Sequence, residues 1–383
     1  MNTPSRDQVL DVLRTIQDPD LFKDIVTLGF ITECTVEDGD VKVVINLTTP
    51  ACPVKDQMKA EAETKIRALS GVNNVQVDMT AEVRGQAGAP RKIAPNIRHI
   101  VAVSSGKGGV GKSTVTVNMA AALAQTGSRV GVLDCDVYGP DIPMMMGLTG
   151  NPETVGQKLL PMERHGVKTM SIGYLVDDDK PIMWRGPMVH KLLEQFLADV
   201  EWGEMDYLLV DMPPGTGDAQ LSLAQIVPLS GGVLVTTPQA VSAYDVSKAI
   251  SMFKEVNVPI LGIVENMAGF AVAGTVSGTS GDSTMGLETG GATQEVAIDA
   301  QGRFETVVHI FGAGAADRLA EKYEFPVIGR VPLDTAVRAG GDGGDPVTVT
   351  HPDSTIAQEF RSIAGRFAQR LAIQEHRALP VLQ

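Results

Sequence analysis

Ser104-Ser105-Gly106-Lys107-Gly108-Gly109-Val110-Gly111-Lys112-Ser113-Thr114 decides the reading of this chain. The stretch fits G-x-x-x-x-G-K-[ST], the pattern of a loop whose backbone N–H groups cradle phosphate. A second lysine, Lys107, directly follows the first glycine. The flanks suit the motif. His99–Val103 is an apolar run of the length of a buried parallel strand, and Val115–Ala124 reads as a helix ending near Gly127. Strand, glycine loop and helix start together supply N–H groups and a positive dipole end for phosphate. A shorter G-x-G-x-x-G would leave an ordinary glycine turn in contention; the longer pattern does not.

Roles within the loop follow from this chemistry. Gly106, Gly108, Gly109, Val110 and Gly111 present backbone, Lys112 is expected to reach the β- and γ-phosphates, and the Ser113 hydroxyl to ligate Mg²⁺ beside Thr114. Two later segments add carboxylates at strand ends, where open α/β sheets bind ligands. Arg129–Leu133 leads into Asp134-Cys135-Asp136, and Tyr207–Val210 leads into Asp211, followed by Met212-Pro213-Pro214-Gly215-Thr216-Gly217-Asp218. Asp211 is the expected Mg²⁺ acid and Asp136 the expected partner of the attacking water. A helix cap is the competing use of a single strand-end aspartate, and the order of the three segments favours the site. The expected fold class is α/β: a P-loop NTPase with a mostly parallel sheet.

With these residues in place, the chain from about 98 to 372 resembles the deviant-Walker ATPases of the ParA/MinD class, in the Mrp/ApbC branch of iron–sulfur cluster carriers. The matching segments are Gly106–Ser113, Asp134–Pro140, Trp184-Arg185-Gly186-Pro187, Asp211–Asp218, Glu265-Asn266-Met267 and Val331-Pro332-Leu333-Asp334. The resemblance implies a homodimer that sandwiches two ATP molecules, with Lys107 crossing to the partner's phosphates. It also implies that Asn266 hydrogen-bonds adenine and that Pro332 packs against the base. It further implies slow ATP hydrolysis and the transfer of iron–sulfur clusters to apoprotein recipients, alongside other assembly proteins.

One departure from that family stands out. Members of the branch usually carry a C-x-x-C pair shortly after the Glu-Asn-Met segment, and Val272 and Thr275 occupy those places here. Neither can supply the thiolate that a cluster normally requires. A switch in the same pathway that holds no cluster is therefore the alternative function. An insertion of about 276–306 follows, rich in glycine, serine, threonine and acidic residues. Gly274–Gly281 reads as a flexible loop, and Gln294–Val308 as a hairpin turning at Asp299-Ala300-Gln301-Gly302. It either covers the lost metal face or is a tolerated surface loop, which costs little stability.

Residues 1–83 read as a separate small α+β unit, joined by a linker at 84–97 that carries Gly85, Gly88, Pro90 and Pro95. A helix is expected over Arg6–Gln17, strands over Ile31–Val36, Val41–Leu47 and Asn74–Met79, and a second helix after Pro53 to about Leu69. This unit resembles the iron–sulfur assembly-factor domain often fused ahead of such ATPases. Cys52 falls in the Thr-Pro-Ala-Cys-Pro segment of that resemblance. With Pro53 at the first helical position, Cys52 would be the helix N-cap beside Lys55, where thiolate is favoured. It is the one candidate cluster ligand, against the plainer reading of a buried cysteine at a loop–helix junction. Cys34 and Cys135 read as packing residues.

Composition bounds the rest. The chain has 383 residues, 32 Lys+Arg against 46 Asp+Glu and a formal charge of −14, which argues against nucleic acid as a partner. Its three cysteines are scattered and its start lacks a signal-peptide core, as expected of a cytoplasmic protein. No apolar run approaches the ~20 residues needed to span a membrane. Ile356, Phe360, Ile363, Phe367 and Leu371 share one helical face. A helix docked on the sheet is expected there rather than a membrane-surface helix, with a dispensable tail at 373–383.

Overall fold

The computed structural model describes residues 3–19, 21–83, 93–176, 186–215, 218–278 and 283–378. Most of the linker, Trp184-Arg185, Thr216-Gly217 and the last five residues lie outside them.

The N-terminal unit opens with α1 (Arg6–Leu13), started by a capping box in which Ser5 and Gln8 satisfy each other's backbone N–H. The helix stops at Leu13 rather than Gln17, because Gln17-Asp18 pairs with Lys23-Asp24. Strands β1 (Ile31–Glu37) and β2 (Asp40–Leu47) form an antiparallel pair; α2 (Lys55–Arg67) then returns the chain so that β3 (Asn74–Ala81) runs parallel to β2. Val41, Val43, Ile45 and Leu47 are buried at every second position of β2, the period of a half-buried strand. They pack on Val9, Leu13, Met58, Ala62 and Ile66.

The larger unit runs β4 (Ile97–Ser105), α3 (Lys112–Gln125), β5 (Val130–Asp134), the hairpin β6 (Met162–Arg164) and β7 (Val167–Met170), α4 (Gly186–Ala198), β8 (Met205–Asp211), α5 (Asp218–Ile226), β9 (Gly231–Thr236), α6 (Ala240–Glu255) and β10 (Ile260–Thr275). It ends with β11 (Ser283–Thr289), β12 (Ala292–Ile298), β13 (Arg303–Val308), α7 (Ala315–Tyr323), β14 (Val327–Leu333), α8 (Thr335–Gly343) and α9 (Thr355–Ala378). The sheet order is β6-β7-β5-β8-β4-β9-β10-β13, with β14 also on β10. Only β6 and β13 are antiparallel to their neighbours. Every residue of β5, β8 and β9 is buried, as a parallel sheet covered on both faces demands. Helices α4 to α7 pack on one face and α3 and α9 on the other. The three-layer, mostly parallel architecture is the one the phosphate loop implies.

Three expectations change. Helix α9 buries Ile356, Phe360, Ile363, Phe367 and Leu371 against α3 and the sheet, as read. It runs on to Ala378, however, with Ile373 buried and Glu375 paired to His99, so 373–378 are not a loose tail. Gly274 and Thr275, expected to open a loop, instead continue β10 into an arm, where Phe270–Thr275 pairs with Val308–Arg303 of β13. The turn at Asp299–Gly302 forms, with the Asp299 N–H bonded to the Arg303 carbonyl, but its flanking strands take other partners. β12 pairs with β11 across Gly290-Gly291, while β13 pairs with β10. The main chain of an extended strand is better satisfied along an existing ladder than in a free loop.

Third, Cys52 is not a helix cap. The N-cap of α2 is Val54, and the helix begins at Lys55. The Cys52 carbonyl accepts from the Lys55 N–H, so the sulfur has no helix-end position to favour its thiolate. Its loop instead docks on the larger unit. Ala51 is buried in the α3/α9 core, the Thr49 hydroxyl lies 3.1 Å from the Tyr207 hydroxyl, and a side chain at Gly365 would strike the Ala51 carbonyl. Cys34 and Cys135 are buried, and burial pushes both thiols up.

Candidate nucleotide site

The phosphate loop joins the carboxyl end of β4 to the start of α3. Gly109 (φ +76°) and Gly111 (φ +79°) sit in the left-handed region that disfavours a side chain. At Gly111 a Cβ would also collide with the Asn266 amide nitrogen. Gly106 is fixed by contact instead, because a Cβ there would overlap the backbone of Asp245-Val246 in α6. The loop is thus wedged against two elements far away in sequence.

Four side chains meet beneath it. Lys112 forms a buried ion pair with Asp211 at the end of β8, the Ser113 hydroxyl donates to Asp211 Oδ2 (2.7 Å), and the Thr116 hydroxyl to Asp211 Oδ1 (2.6 Å). Sequence reasoning placed Lys112, Ser113 and Asp211 together and missed Thr116. Its spacing, one helical turn after Lys112, was the available signal. A serine hydroxyl and a carboxylate are hard oxygen donors of the kind Mg²⁺ takes, so the residues present fit the ion.

Asp134 ends β5 next to Asp211 in register. Ser171 donates to its Oδ2 at 2.8 Å and the Asp136 N–H to its Oδ1 at 3.1 Å. Burial, then the neighbouring Asp211 charge, pushes the Asp134 carboxyl up to about 8. Ser171 carried no sequence signal. Asp136 is half-buried, accepts from the Gly139 N–H at 3.3 Å, and is shifted upward chiefly by burial. Lys107 is half-exposed at the mouth, its carbonyl accepting from the Ser105 hydroxyl.

The raised Asp134 value has a thermodynamic consequence. The unfolded carboxyl ionises near 4, so between about pH 4 and 8 the folded chain binds more protons than the unfolded one. That contribution to stability is complete below pH 4 and is lost as pH rises through 8. In EDTA and without nucleotide, Asp134→Asn should therefore raise Tm at pH 8 more than at pH 5, as differential scanning calorimetry would read. Equal shifts at both pH values would contradict the assignment.

Beside the loop, a cleft of ≈ 230 Å³ is lined by Gly111, Thr114, Asn266, Pro332, Leu333 and Asp334, among others. Asn266 donates to the Val110 carbonyl at 2.8 Å. This brings the two expected base contacts, Asn266 and Pro332, to one wall next to the phosphate loop. His165 and His190 pair with Asp345 and Glu194 respectively, as structural residues would.

Among the described residues no comparable assembly exists for a cluster. Val272 and Thr275 lie in the arm opposite Thr306 and Arg303. Among the described residues no group of three or more His, Cys, Asp or Glu could hold a metal ion. The chain's residues do not fit a cluster at the family's usual place.

A glycine cradle with a buried lysine, over a strand-end aspartate in a parallel sheet, defines a P-loop NTPase. Comparison with known proteins carries this further. Residues 96–297 and 284–368 match the ParA family described as NUBPL iron-transfer P-loop NTPase, and residues 6–79 match the iron–sulfur cluster assembly protein family. The chain is 42% identical over 373 residues to the iron–sulfur cluster carrier protein of Synechocystis sp., covering 96% of this chain and 98% of that one. It is 41% identical over 379 residues to the protein of the same name from Deinococcus radiodurans, covering 98% of each. Among solved structures, the nucleotide-binding protein of Archaeoglobus fulgidus, in complex with ADP, superposes with a TM-score of 0.52 at 36% identity, over 69% of this chain and 93% of that one. The chain belongs to the iron–sulfur cluster carrier family of ParA-type P-loop NTPases. No helix among the described residues is long and apolar enough to cross a membrane.

Proposed function

We propose that the protein is a cytoplasmic, homodimeric, Mg²⁺-dependent ATPase whose nucleotide state gates the binding or delivery of iron–sulfur clusters to apoproteins. The observation that carries this is the convergence of Lys112, Ser113 and Thr116 on Asp211 beneath the glycine loop. Lys112 leaves Asp211 for the β- and γ-phosphates, while Ser113 and Asp211 hold the metal, which supplies charge neutralisation to those phosphates. Asp136 orients the attacking water, and Lys107 of the partner subunit completes the charge around the γ-phosphate. Asn266 and Pro332 take the adenine. Turnover is slow, as suits a switch whose output is shape rather than product. The three unbridged cysteines fit a reducing compartment.

A second reading is favoured by one observation: the arm offers Val272 and Thr275 where thiolates are usual. On that reading the protein is an ATP-driven switch that binds assembly partners and carries no cluster. Anaerobic reconstitution with iron and sulfide separates the two. Visible absorption and iron counting should be run on gel-filtered wild type and Cys52→Ser side by side. A stable cluster lost in Cys52→Ser supports a carrier whose cargo site has moved to the N-terminal unit. No cluster in either sinks the carrier reading and leaves the switch.

A further inference from the structure

Glu265 is out of character with the strand that carries it. Leu261, Ile263 and Val264 before it in β10 are buried and apolar, and Glu265 is a carboxylate only 2% exposed. Burying a charge is costly unless it is both paired and hydrogen-bonded, and here both conditions are met. Oε1 accepts from the Ala316 N–H at 3.1 Å, and Oε2 lies 3.4 Å from Arg330 Nε. Ala316 belongs to the first turn of α7, whose N-cap, Gly314, has no side chain to cap with. Glu265 thus does from a distant strand what a local serine or aspartate usually does, and its charge suits the positive end of the helix. Arg330, in β14, also pairs with Asp317 in that same turn and gives its main-chain N–H to the Glu359 carboxylate of α9 at 3.0 Å.

The place of this pair gives it a second use. Glu265 and Arg330 face each other across the parallel strands β10 and β14; the next rung is Asn266 opposite Val331, and Pro332 follows. Successive side chains of a strand point to opposite sides, so Glu265 turns to α7 while Asn266 turns to the Val110 carbonyl. Beyond that rung the regular pairing ends. The register shifts between Asn266 and Phe270, where Met267 (φ +57°) and Gly269 (φ +136°) take left-handed backbone. The ion pair therefore joins the two strands one rung before they part around the ≈ 230 Å³ cleft that Asn266 and Pro332 line.

We propose that Glu265 and Arg330 are positioning residues for the nucleobase: their ion pair, anchored on the first turn of α7, fixes the separation of Asn266 from Pro332. The inference rests on the reading that those two residues take the adenine, and it adds the staple that sets the width of the cleft. Neither member of the pair is among the residues lining the cleft. They act through the main chain, Glu265 one residue before Asn266 and Arg330 two residues before Pro332. Walls already held at the spacing a base needs spend no binding energy on being ordered.

Isothermal titration of a slowly hydrolysed ATP analogue and of inorganic tripolyphosphate, each with Mg²⁺, separates base binding from phosphate binding. Arg330→Met should bind the analogue about tenfold more weakly and tripolyphosphate as the wild type does. Arg330→Lys, which keeps the charge, should recover part of the loss. Glu265→Gln keeps an acceptor for the Ala316 N–H and leaves no buried charge unpaired, and it should show the same selective loss. A parallel loss for both ligands, or no loss for either, overturns the positioning role. Asn266→Ala tests the reading beneath it. Unchanged analogue affinity in Asn266→Ala overturns the base contact itself, whereas a loss there with none in Arg330→Met and Glu265→Gln overturns the staple alone.

Discussion

Lys112→Ala should lose Mg-ATP binding by about 100- to 1,000-fold, because in the role proposed above the lysine would make charge-assisted bonds to phosphate worth about 1.5–3 kcal/mol each. The same change acts on the empty protein. Lys112 is the buried cation paired with Asp211, and its removal leaves that carboxylate beside Asp134 with the Ser113 and Thr116 hydroxyls as its side-chain partners among the described residues. Breaking one side of a buried pair typically costs about 3–5 kcal/mol, so the variant should also melt earlier without nucleotide. Isothermal titration and a thermal melt check the two effects separately. Tight Mg-ATP binding by Lys112→Ala would refute the assigned role. Lys112→Met, which keeps much of the side-chain volume, should show the same loss of affinity if charge rather than packing is responsible.

Ending the chain after Ser354 should abolish cooperative folding. The cut removes α9, and with it Phe360 and Phe367, both fully buried, together with Ile356, Ile363 and Leu371 from one wall of the core. Truncating a single buried phenylalanine costs about 3–5 kcal/mol. Two of them approach the whole stability of a typical domain, about 5–15 kcal/mol. Urea denaturation followed by circular dichroism would show no two-state transition in this variant; a wild-type transition would refute the packing role of α9. The milder cut before Ile373 is no longer expected to be silent, because it removes a buried isoleucine and the Glu375 partner of His99. A loss smaller than that of the longer truncation is expected.

The nucleotide site was legible in sequence because its chemistry is local. The loop must be glycine-rich, its lysine must follow, and its acid must end a buried strand, so Lys112, Ser113 and Asp211 could be placed without coordinates. Thr116 carried only its spacing, one helical turn after Lys112, and Ser171 escaped altogether, because an isolated hydroxyl has no pattern until its partner is in place. Cys52 was misplaced for a subtler reason. Pro53 fits either a first helical position or the turn before one, and here the chain makes a further turn before Val54 caps α2. The arm was hidden by its composition, since the alanines and glycines at 268, 269, 271, 273 and 274 are poor strand formers that suit loops as well. Its partner strand is about thirty residues further on, too far for hairpin signals to reveal.

The Thr49–Tyr207 contact bears on how this protein can be divided. Tyr207 is the third residue of the strand that Asp211 closes, and Thr49 and Ala51 belong to the N-terminal unit, which has a core of its own. A cut near residue 84 separates the two halves of the polypeptide, yet it severs none of these contacts. Two fragments made that way should find each other in solution, whereas a chimera carrying a foreign N-terminal half would need matching residues at 49–51, 207 and 365. The natural joint in this molecule is therefore a surface rather than a point along the chain.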